Sequence, residues 1–307
     1  MTDLANKYRP TNFSEVRGNS SLKSIILRSL KKEDKPQCYI LQGTRGCGKT
    51  TLARIMAEKL GAKGRDLKEL NIASLRGIDT ARSIEELVSY MPMDGGSKVI
   101  VLNEVHKATN EFFNAMLEIL EEPPPNVYFI LCTTEPHKVL PTIMSRCALR
   151  KFYVKPLKRR EMQELVEEVL SEEDMEWKEK HIKQLVKMSE GIPREALILL
   201  DSLITLSGKR LTKAMDEIVR ASDDLPIDLI RAINNKESWA TIKVILKGLG
   251  EDIDVEQIRW KILKYMRKVL LDKPNAQTAF TIECFEDSFA ESGLAGLYLA
   301  CYKALNL

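Results

Sequence analysis

A glycine-rich stretch followed by lysine and threonine has the residue types and the spacing of a phosphate-binding loop. The four fixed positions of the pattern G-x-x-x-x-G-K-[ST] are Gly43, Gly48, Lys49 and Thr50. In such a loop, backbone N–H groups and the positive end of the following helix face an anion. We expect Lys49 to neutralise the β- and γ-phosphates of a nucleotide and Thr50 to offer its hydroxyl to Mg²⁺.

The sequence around this loop favours nucleotide binding over a glycine-rich turn of purely structural use. The apolar residues 39–41 come before it and predict a buried strand. An apolar stripe at helical spacing comes after it and consists of Leu52, Ile55, Met56 and Leu60. A chance match to the pattern rarely stands between a strand and an amphipathic helix, so we predict that the chain binds a nucleotide.

A second apolar strand, predicted at residues 98–102, ends in Asn103 and Glu104. Phosphate-loop enzymes place one carboxylate near Mg²⁺ and another near the attacking water at this point of the chain. Glu104 is predicted to orient or polarise that water. Asn103 offers a neutral carbonyl oxygen where a charged group is expected, so we predict weaker metal binding and slower hydrolysis. We interpret His106 as a hydrogen-bonding residue at the strand end, since no second metal ligand stands at useful spacing.

Composition limits the class of protein. The chain has 307 residues, enough for two or three domains, and its 47 Lys and Arg barely exceed its 44 Asp and Glu. A net charge of +3 does not by itself indicate a nucleic-acid partner. The six cysteines stand far apart without a C-x-x-C pair, so we expect neither a structural zinc site nor a disulfide framework, and a reducing cytoplasm. No membrane span or secretory signal is predicted.

The predicted elements that position these residues alternate between strand and helix in the first half of the chain. Further strands are predicted at 69–72 and 127–132, with helices at 78–90 and 110–122. This order predicts an α/β domain with a parallel sheet, whose ligands bind at the carboxyl ends of the strands.

Beyond Pro156 the pattern becomes helical. Helices at 161–170, 181–189 and 194–206 predict a small helical lid, and helices at 225–233, 239–249, 255–271, 276–291 and 294–305 predict an all-α bundle for packing or oligomerisation. We therefore predict three domains, at residues 1–156, 157–222 and 223–307.

Several single residues admit two interpretations. Tyr8 and Pro10 belong either to an adenine cradle or to an arm that packs on the domain, and spacing gives both equal weight. Thr134 follows a strand, where a hydroxyl either senses the γ-phosphate or caps the next turn. Arg146 is a surface residue unless the nucleotide of another subunit lies opposite. Arg194 starts a helix and is free to reach back toward a phosphate.

Taken together, six segments resemble a clamp-loader ATPase of the AAA+ class, similar to the bacterial tau/gamma subunit and to the small subunits of replication factor C. They are KYRP at 7–10, GTRGCGKT at 43–50, LEILEEPP at 117–124, CTTEP at 132–136, SRC at 145–147 and GIPREAL at 191–197. Their joint order over about two hundred residues is more specific than any one of them except the phosphate loop.

The resemblance implies ATP and Mg²⁺ as cofactors and assigns roles to residues. The catalytic residues would be Glu104, Lys49, Thr134 as sensor 1, Arg194 as sensor 2 on the chain's own nucleotide, and Arg146 as an arginine finger on a neighbour's nucleotide. The nucleotide would be bound by Tyr8, Arg9, Pro10, Gly43, Thr44, Arg45, Gly46, Cys47, Gly48, Lys49, Thr50, Thr51 and Arg194. Thr50 and Asn103 would face the magnesium ion.

The resemblance also implies partners. The chain would join other clamp-loader subunits in a pentameric spiral that opens a sliding clamp and loads it onto primer–template DNA, with hydrolysis triggering release. DNA phosphates would be contacted by Arg76, Arg82, Lys107 and Thr109. Tyr90, Met91 and Met93 lie where the family touches the clamp, although a Met-rich loop is as often plain packing. The protein would work in the cytoplasm beside the nucleoid, or in the host cytoplasm if phage-encoded.

Two departures from the family pattern keep other interpretations open. No four-cysteine zinc module stands between Cys47 and Cys132, which favours a replication-factor-C-like or phage-like form. Asn103 replaces an aspartate, which favours a structural or regulatory ring subunit that binds nucleotide with little turnover. A branch-migration helicase is opposed by the Ser-Arg-Cys motif and by the lack of a winged-helix pattern.

Overall fold

The fold is taken from a computed structural model that describes residues 3–94, 96–147, 151–247, 255–272, 274–289 and 292–306. The chain forms two compact units, residues 1–208 and residues 209–307. No helix in the described ranges is long and apolar enough to cross a membrane.

The first unit contains five parallel strands in the order β2-β3-β4-β1-β5. Their bounds are Cys38–Gln42 (β1), Leu67–Asn71 (β2), Lys98–Asn103 (β3), Val127–Thr133 (β4) and Lys151–Tyr153 (β5). The predicted parallel α/β sheet is confirmed. The sequence did not indicate β5, because three residues with a single buried side chain carry too little pattern.

Helices cover both faces of this sheet. Their bounds are Leu4–Lys7 (α1), Ser20–Leu30 (α2), Lys49–Lys59 (α3), Ile78–Ser89 (α4), Asn110–Glu121 (α5) and Pro141–Arg146 (α6). Successive strand residues point to opposite faces, so Tyr39 and Leu41 pack with α2 and α3, whereas Ile40 packs with α4 and α5. Burial on both faces explains why β3 and β4 read as continuous apolar runs.

The same unit continues into three helices after β5. They are Arg159–Glu172 (α7), Glu179–Met188 (α8) and Pro193–Leu203 (α9), and they confirm the helices predicted for the lid. These helices contact one another, and α9 also contacts α1.

The described residues of the second unit form helices and the turns between them. Its helices are Gly208–Asn234 (α10), Trp239–Lys247 (α11), Val255–Asp272 (α12), Ala276–Cys284 (α13) and Gly293–Leu305 (α14). The predicted boundary at residue 222 falls inside the continuous helix α10, and the compact units divide at Gly208. The division of the chain into three domains stays a prediction.

Helix α13 ends earlier than the predicted residue 291. The guanidinium of Arg259 donates to the carbonyl oxygens of Phe285 and Glu286 at 3.1 and 2.9 Å, and the N–H of Phe289 donates to Glu256. These side-chain partners satisfy backbone groups that a longer helix would pair internally. Phe285 and Phe289 are buried, so the chain turns inward here. Residues 248–249 and 290–291, the ends of two predicted helices, lie outside the described residues.

One pair of cysteines differs from the sequence expectation. Cys38 and Cys147, 109 residues apart, are joined by a disulfide with their Cα atoms 5.5 Å apart. The fold brings the start of β1 beside the end of α6, which spacing along the chain cannot show. Cys47, Cys132, Cys284 and Cys301 are free, and the described residues contain no cluster that would hold a metal ion through His, Cys, Asp or Glu alone.

Candidate nucleotide-binding site

The phosphate loop connects β1 to α3 through three glycines with positive φ, namely Gly43, Gly46 and Gly48. The requirement is strictest at Gly43, where φ is 153° and an added Cβ would lie 2.4 Å from the carbonyl oxygen of Val154. The loop therefore passes directly against the segment that follows β5. Gly48 precedes the first turn of α3, so the N-terminus of that helix faces the loop as the sequence predicts.

Lys49 is buried beneath this loop. Its ammonium group donates to the carbonyl oxygens of Gly43 and Thr44, both at 2.9 Å. These contacts fix one positive charge at the loop, where a phosphate would bind.

The predicted magnesium end is built from α3 and β3. The Thr50 hydroxyl donates to Asn103 Oδ1 at 2.7 Å, and Asn103 Nδ2 donates to Glu69 Oε1 at 2.9 Å. Arg54 Nε donates to the other Glu69 oxygen at 2.7 Å. A hydroxyl, an amide oxygen and a carboxylate are hard oxygen donors of the kind that Mg²⁺ prefers, so these residues fit that ion.

Glu104 follows β3 in a left-handed conformation, with φ of 54°. Its carboxylate lies 3.5 Å from Nε2 of His106, which is also 3.2 Å from Glu135. Nδ1 of His106 hydrogen-bonds to Thr133 Oγ1 at 3.1 Å, which confirms His106 as a hydrogen-bonding residue at the strand end. Burial lowers the pKa of His106, although Glu104 and Glu135 oppose that effect.

Thr134 lies immediately after β4 and is half-buried. It does not belong to the described residues that line the cavity beside the phosphate loop. The neighbouring Thr133 is fully buried and binds both His106 and the N–H of Glu135. The structure therefore leaves the sensor role of Thr134 as a prediction.

A cavity of about 1160 Å³ joins the phosphate loop to the N-terminal arm and to the lid helices. Its apolar lining includes Pro10, Val16, Leu157, Leu165 and Val169. Its polar lining includes Lys49, Thr50, Glu69, Asn103 and Glu104. A flat base and a triphosphate need apolar and polar partners respectively, and the cavity offers both.

The N-terminal arm both lines the cavity and packs on a lid helix, so the two interpretations of Tyr8 are compatible. The Tyr8 hydroxyl and the Lys7 ammonium each donate to Glu173 Oε1 at 2.6 Å, at the end of α7. Arg9 also lines the cavity, and its pKa is lowered by burial and by the neighbouring charges of Arg54 and Arg194. Three guanidinium groups thus make this part of the cavity attractive to an anion.

Arg194 lies in the first turn of α9 and lines the same cavity. An added Cβ at Gly46 would lie 3.2 Å from Arg194 Cβ and 2.7 Å from Ile192. The tip of the phosphate loop therefore touches the start of α9, as the prediction for Arg194 requires.

Arg146 ends α6 and is exposed, and it forms an ion pair with Glu121 of α5. It is absent from the lining of the cavity, among the residues that the structure describes. A role on this chain's own nucleotide is therefore not supported, in keeping with the predicted action on a neighbour.

The residues predicted to contact DNA lie around the start of α4 and the loop before α5. Arg76, Arg82 and Lys107 are exposed, and Arg82 lies 3.5 Å from Asp79. The Thr109 hydroxyl accepts a hydrogen bond from the N–H of Phe112 at 3.2 Å and so caps α5. The Thr109 N–H donates to the carbonyl oxygen of Arg76 at 3.1 Å, which brings the two segments together.

Sequence reasoning missed Glu69, Arg54, Lys7 and Glu173. Glu69 is itself a charged residue in the predicted strand 69–72. The next predicted strand is apolar and ends in Asn103, and this contrast is the signal that could have identified Glu69. Arg54 lies one helical turn after Thr50, which places both on one face of α3. The contact between Lys7 and Glu173 spans 166 residues and left no signal in the sequence.

Comparison with solved structures identifies the fold. A mutant form of Thermotoga maritima RuvB superposes with a TM-score of 0.59 over 74% of this chain and 79% of that chain, at 20% sequence identity. The same protein, described as a Holliday junction branch migration motor, gives a TM-score of 0.55 over 95% of this chain and 90% of that chain, at 19% identity. The parallel sheet and the helices after it thus have the fold of these structures.

Sequence comparisons give the relatives of this chain. A family described as "DNA polymerase III, delta subunit" matches residues 65–156. The tau subunit of DNA polymerase III from Escherichia coli is 30% identical over 87% of this chain and 45% of its own length, and the gamma/tau subunit from Mycobacterium tuberculosis is 34% identical over 93% and 54%. The chain spans about half the length of these curated relatives. These matches support a clamp-loader AAA+ ATPase related to the tau/gamma subunits.

Proposed function

We propose that this chain is an ATPase subunit of a DNA polymerase sliding-clamp loader. It binds ATP with Mg²⁺, opens a ring-shaped clamp and loads it onto primer–template DNA, and hydrolysis triggers release. The observation that carries the proposal is the cavity in which the phosphate loop, Glu104 and Arg194 meet. The likeness to tau/gamma subunits over most of the chain supports the same role.

In this proposal each residue around the cavity has a defined task. Lys49 and the loop N–H groups bind the β- and γ-phosphates, and Arg194 binds them from the lid side. Thr50 and Asn103 face Mg²⁺, which neutralises phosphate charge when it is bound. Glu104 orients the attacking water. The arm residues Tyr8, Arg9 and Pro10 and the apolar lining residues hold the adenine.

The assembly completes the site. Arg146 stabilises the transferred phosphate on a neighbouring subunit, which requires it to leave Glu121 when subunits meet. A chain that carries both a phosphate loop and a finger can occupy interior positions of a pentameric spiral.

The DNA surface is proposed from exposure and charge. Arg76, Arg82 and Lys107 are exposed and contact DNA phosphates rather than bases. The Thr109 hydroxyl caps α5 and positions the loop before it.

The clamp surface is proposed at the loop after α4. Tyr90, Met91 and Met93 are 62%, 79% and 71% exposed, which opposes the interpretation of this loop as plain packing. Exposed apolar side chains in a cluster mark protein contacts. The proposal places the protein in the cytoplasm.

Steady-state ATP hydrolysis tests the proposal. The assembled loader is measured alone, with primed DNA, with clamp, and with both, beside a Lys49→Ala variant as control. We expect primed DNA and clamp to accelerate hydrolysis of the wild type and to leave the variant near background. If the wild type binds ATP without turnover and the Asn103→Asp variant hydrolyses it, the result would support the alternative of a regulatory ring subunit. Turnover unaffected by DNA and clamp would reject the loader role.

A further inference from the structure

A ring of side chains links the predicted magnesium end of the site to a carboxylate outside the recognised motifs. Thr50 binds Asn103, Asn103 binds Glu69, and Glu69 binds Arg54, at 2.7, 2.9 and 2.7 Å. Thr50 and Arg54 lie one turn apart on α3, so the ring closes between α3, β2 and β3. Glu69 and Asn103 line the same cavity as the phosphate loop.

Glu69 determines which way the Asn103 amide points. An ionised carboxylate only accepts hydrogen bonds, so the amide nitrogen of Asn103 must face Glu69. The amide oxygen then faces Thr50 and accepts a hydrogen bond from its hydroxyl group. This bond leaves the lone pairs of the Thr50 oxygen available to a cation. Without Glu69, the two ends of the amide would be free to exchange, and a nitrogen facing Thr50 would donate where an acceptor is needed.

Glu69 also carries the negative charge that Asn103 lacks. An aspartate at residue 103 would place a carboxylate oxygen about where Asn103 Nδ2 lies, 2.9 Å from Glu69 Oε1. Two carboxylates at that separation disfavour each other's ionisation. The amide at Asn103 replaces this repulsion by a hydrogen bond, so the pair holds a single negative charge, and the Arg54 guanidinium offsets part of that charge at the other Glu69 oxygen.

We propose that Glu69 supplies the carboxylate charge of the magnesium site and acts through Asn103 as its positioning residue. The inference rests on the proposed function. In this arrangement Asn103 does not inactivate the site, because the charge has moved by one side chain from β3 to β2.

The test is the Mg²⁺ dependence of nucleotide binding by the full chain, read by a fluorescent ATP analogue in EDTA and over a magnesium titration. We compare the wild type with Glu69→Gln, Asn103→Asp and the double variant, and use the exposed Glu118→Gln as matched control. Glu69→Gln is expected to raise the magnesium concentration for half-maximal binding by about tenfold and to leave binding in EDTA unchanged. A purely structural role for Glu69 would not separate these two readouts.

The double variant is the sharper arm. Glu69→Gln with Asn103→Asp exchanges the charge and keeps the hydrogen bond, so we expect magnesium dependence within about threefold of the wild type. Asn103→Asp alone is expected to bring no gain in magnesium affinity. A gain of about tenfold in that variant, or an unchanged titration in Glu69→Gln, would overturn the inference. A wild type that binds no nucleotide with Mg²⁺ would instead overturn the proposed function itself.

Discussion

At the scale of single residues, the site depends on close approaches that only certain residue types permit. Gly43 lies against the carbonyl of Val154, and the ammonium of Lys49 is held by two carbonyl oxygens of its own loop. Steric crowding thus explains the glycine at residue 43, and electrostatic attraction explains the position of the lysine at residue 49.

Gly43→Ala is expected to weaken ATP binding by at least about tenfold, since a clash with backbone must move the loop that binds the phosphates. The same clash is expected to lower the free energy of unfolding by about 1–3 kcal/mol. Isothermal titration with ATP and thermal unfolding measure the two effects. Gly96→Ala is the matched control, because an added Cβ there meets nothing within 4 Å. Equal behaviour of the two variants would contradict the steric argument.

At the scale of elements, the loop after α4 is held by two buried charges. Asp66, at 1% exposure, accepts hydrogen bonds from the N–H groups of Met93 and Asp94 at 2.8 and 2.6 Å. Lys98 donates to the carbonyl oxygens of Leu87 and Tyr90 at 2.7 and 2.6 Å. The exposed apolar side chains of this loop therefore project from a fixed backbone, which lowers the entropy cost of binding a partner.

Asp66→Ala is expected to lower the free energy of unfolding by about 1–3 kcal/mol, because it leaves two backbone donors without their partner. It is also expected to weaken binding to a sliding clamp several-fold while ATP affinity stays within about twofold. Surface plasmon resonance against immobilised clamp and a nucleotide titration provide the readouts. Asp79→Ala, on the exposed start of α4, is the control and is expected to change neither clamp binding nor ATP affinity.

Within the second unit, Arg259 and Glu256 form a nearly closed polar cluster. Arg259 is 5% exposed and donates to both Glu256 oxygens and to two backbone carbonyls. Burial alone would raise the pKa of Glu256, but hydrogen bonds from Arg259, Phe289 and Ser288 outweigh it and lower the pKa below its usual value.

A lowered pKa in the folded state means that the unfolded state binds this proton more tightly. The stabilisation by Glu256 is therefore complete above the ordinary carboxyl pKa of about 4.3 and is lost as pH falls through the folded value. Arg259→Met should destabilise the second unit at pH 7 by about 3–5 kcal/mol and flatten the part of its acid unfolding curve that comes from Glu256. Chemical denaturation between pH 3 and 7 measures this, and Arg231→Met, on an exposed ion pair, should leave the curve unchanged.

At the scale of the whole molecule, the residues that act on nucleotide fall into two groups. Lys49, Glu104 and Arg194 meet at one cavity of the first unit. Arg146 lies apart from that lining and ion-paired to Glu121, so its predicted chemistry needs a second subunit.

Arg146→Ala is expected to leave ATP affinity of the isolated chain unchanged and to reduce hydrolysis by the assembled loader by a factor on the order of 10³. Mixing Arg146→Ala chains with Lys49→Ala chains tests action between subunits, because a wild-type finger can then face a wild-type loop only at certain interfaces. The exposed Arg160→Ala serves as control. Loss of ATP binding in isolated Arg146→Ala chains would contradict a role on the neighbour.

The sequence by itself determined the strands β1 to β4, the phosphate loop and the resemblance to clamp-loader ATPases. These features are local, since apolar periodicity, glycine spacing and short motifs are written in consecutive residues. It also predicted that Asn103 and Glu104, at the end of β3, lie at the ligand-binding edge of the sheet, because the carboxyl ends of parallel strands meet there.

Only the tertiary structure decided which distant side chains meet. The ring from Thr50 to Glu69, the contact of Tyr8 with Glu173 and the disulfide between Cys38 and Cys147 join residues far apart in the chain. Such contacts depend on strand order and helix packing, which the residue pattern of a single segment does not predict. The same reason explains why the short edge strand β5 and the early end of α13 escaped the pattern, since partners elsewhere in the fold stabilise both.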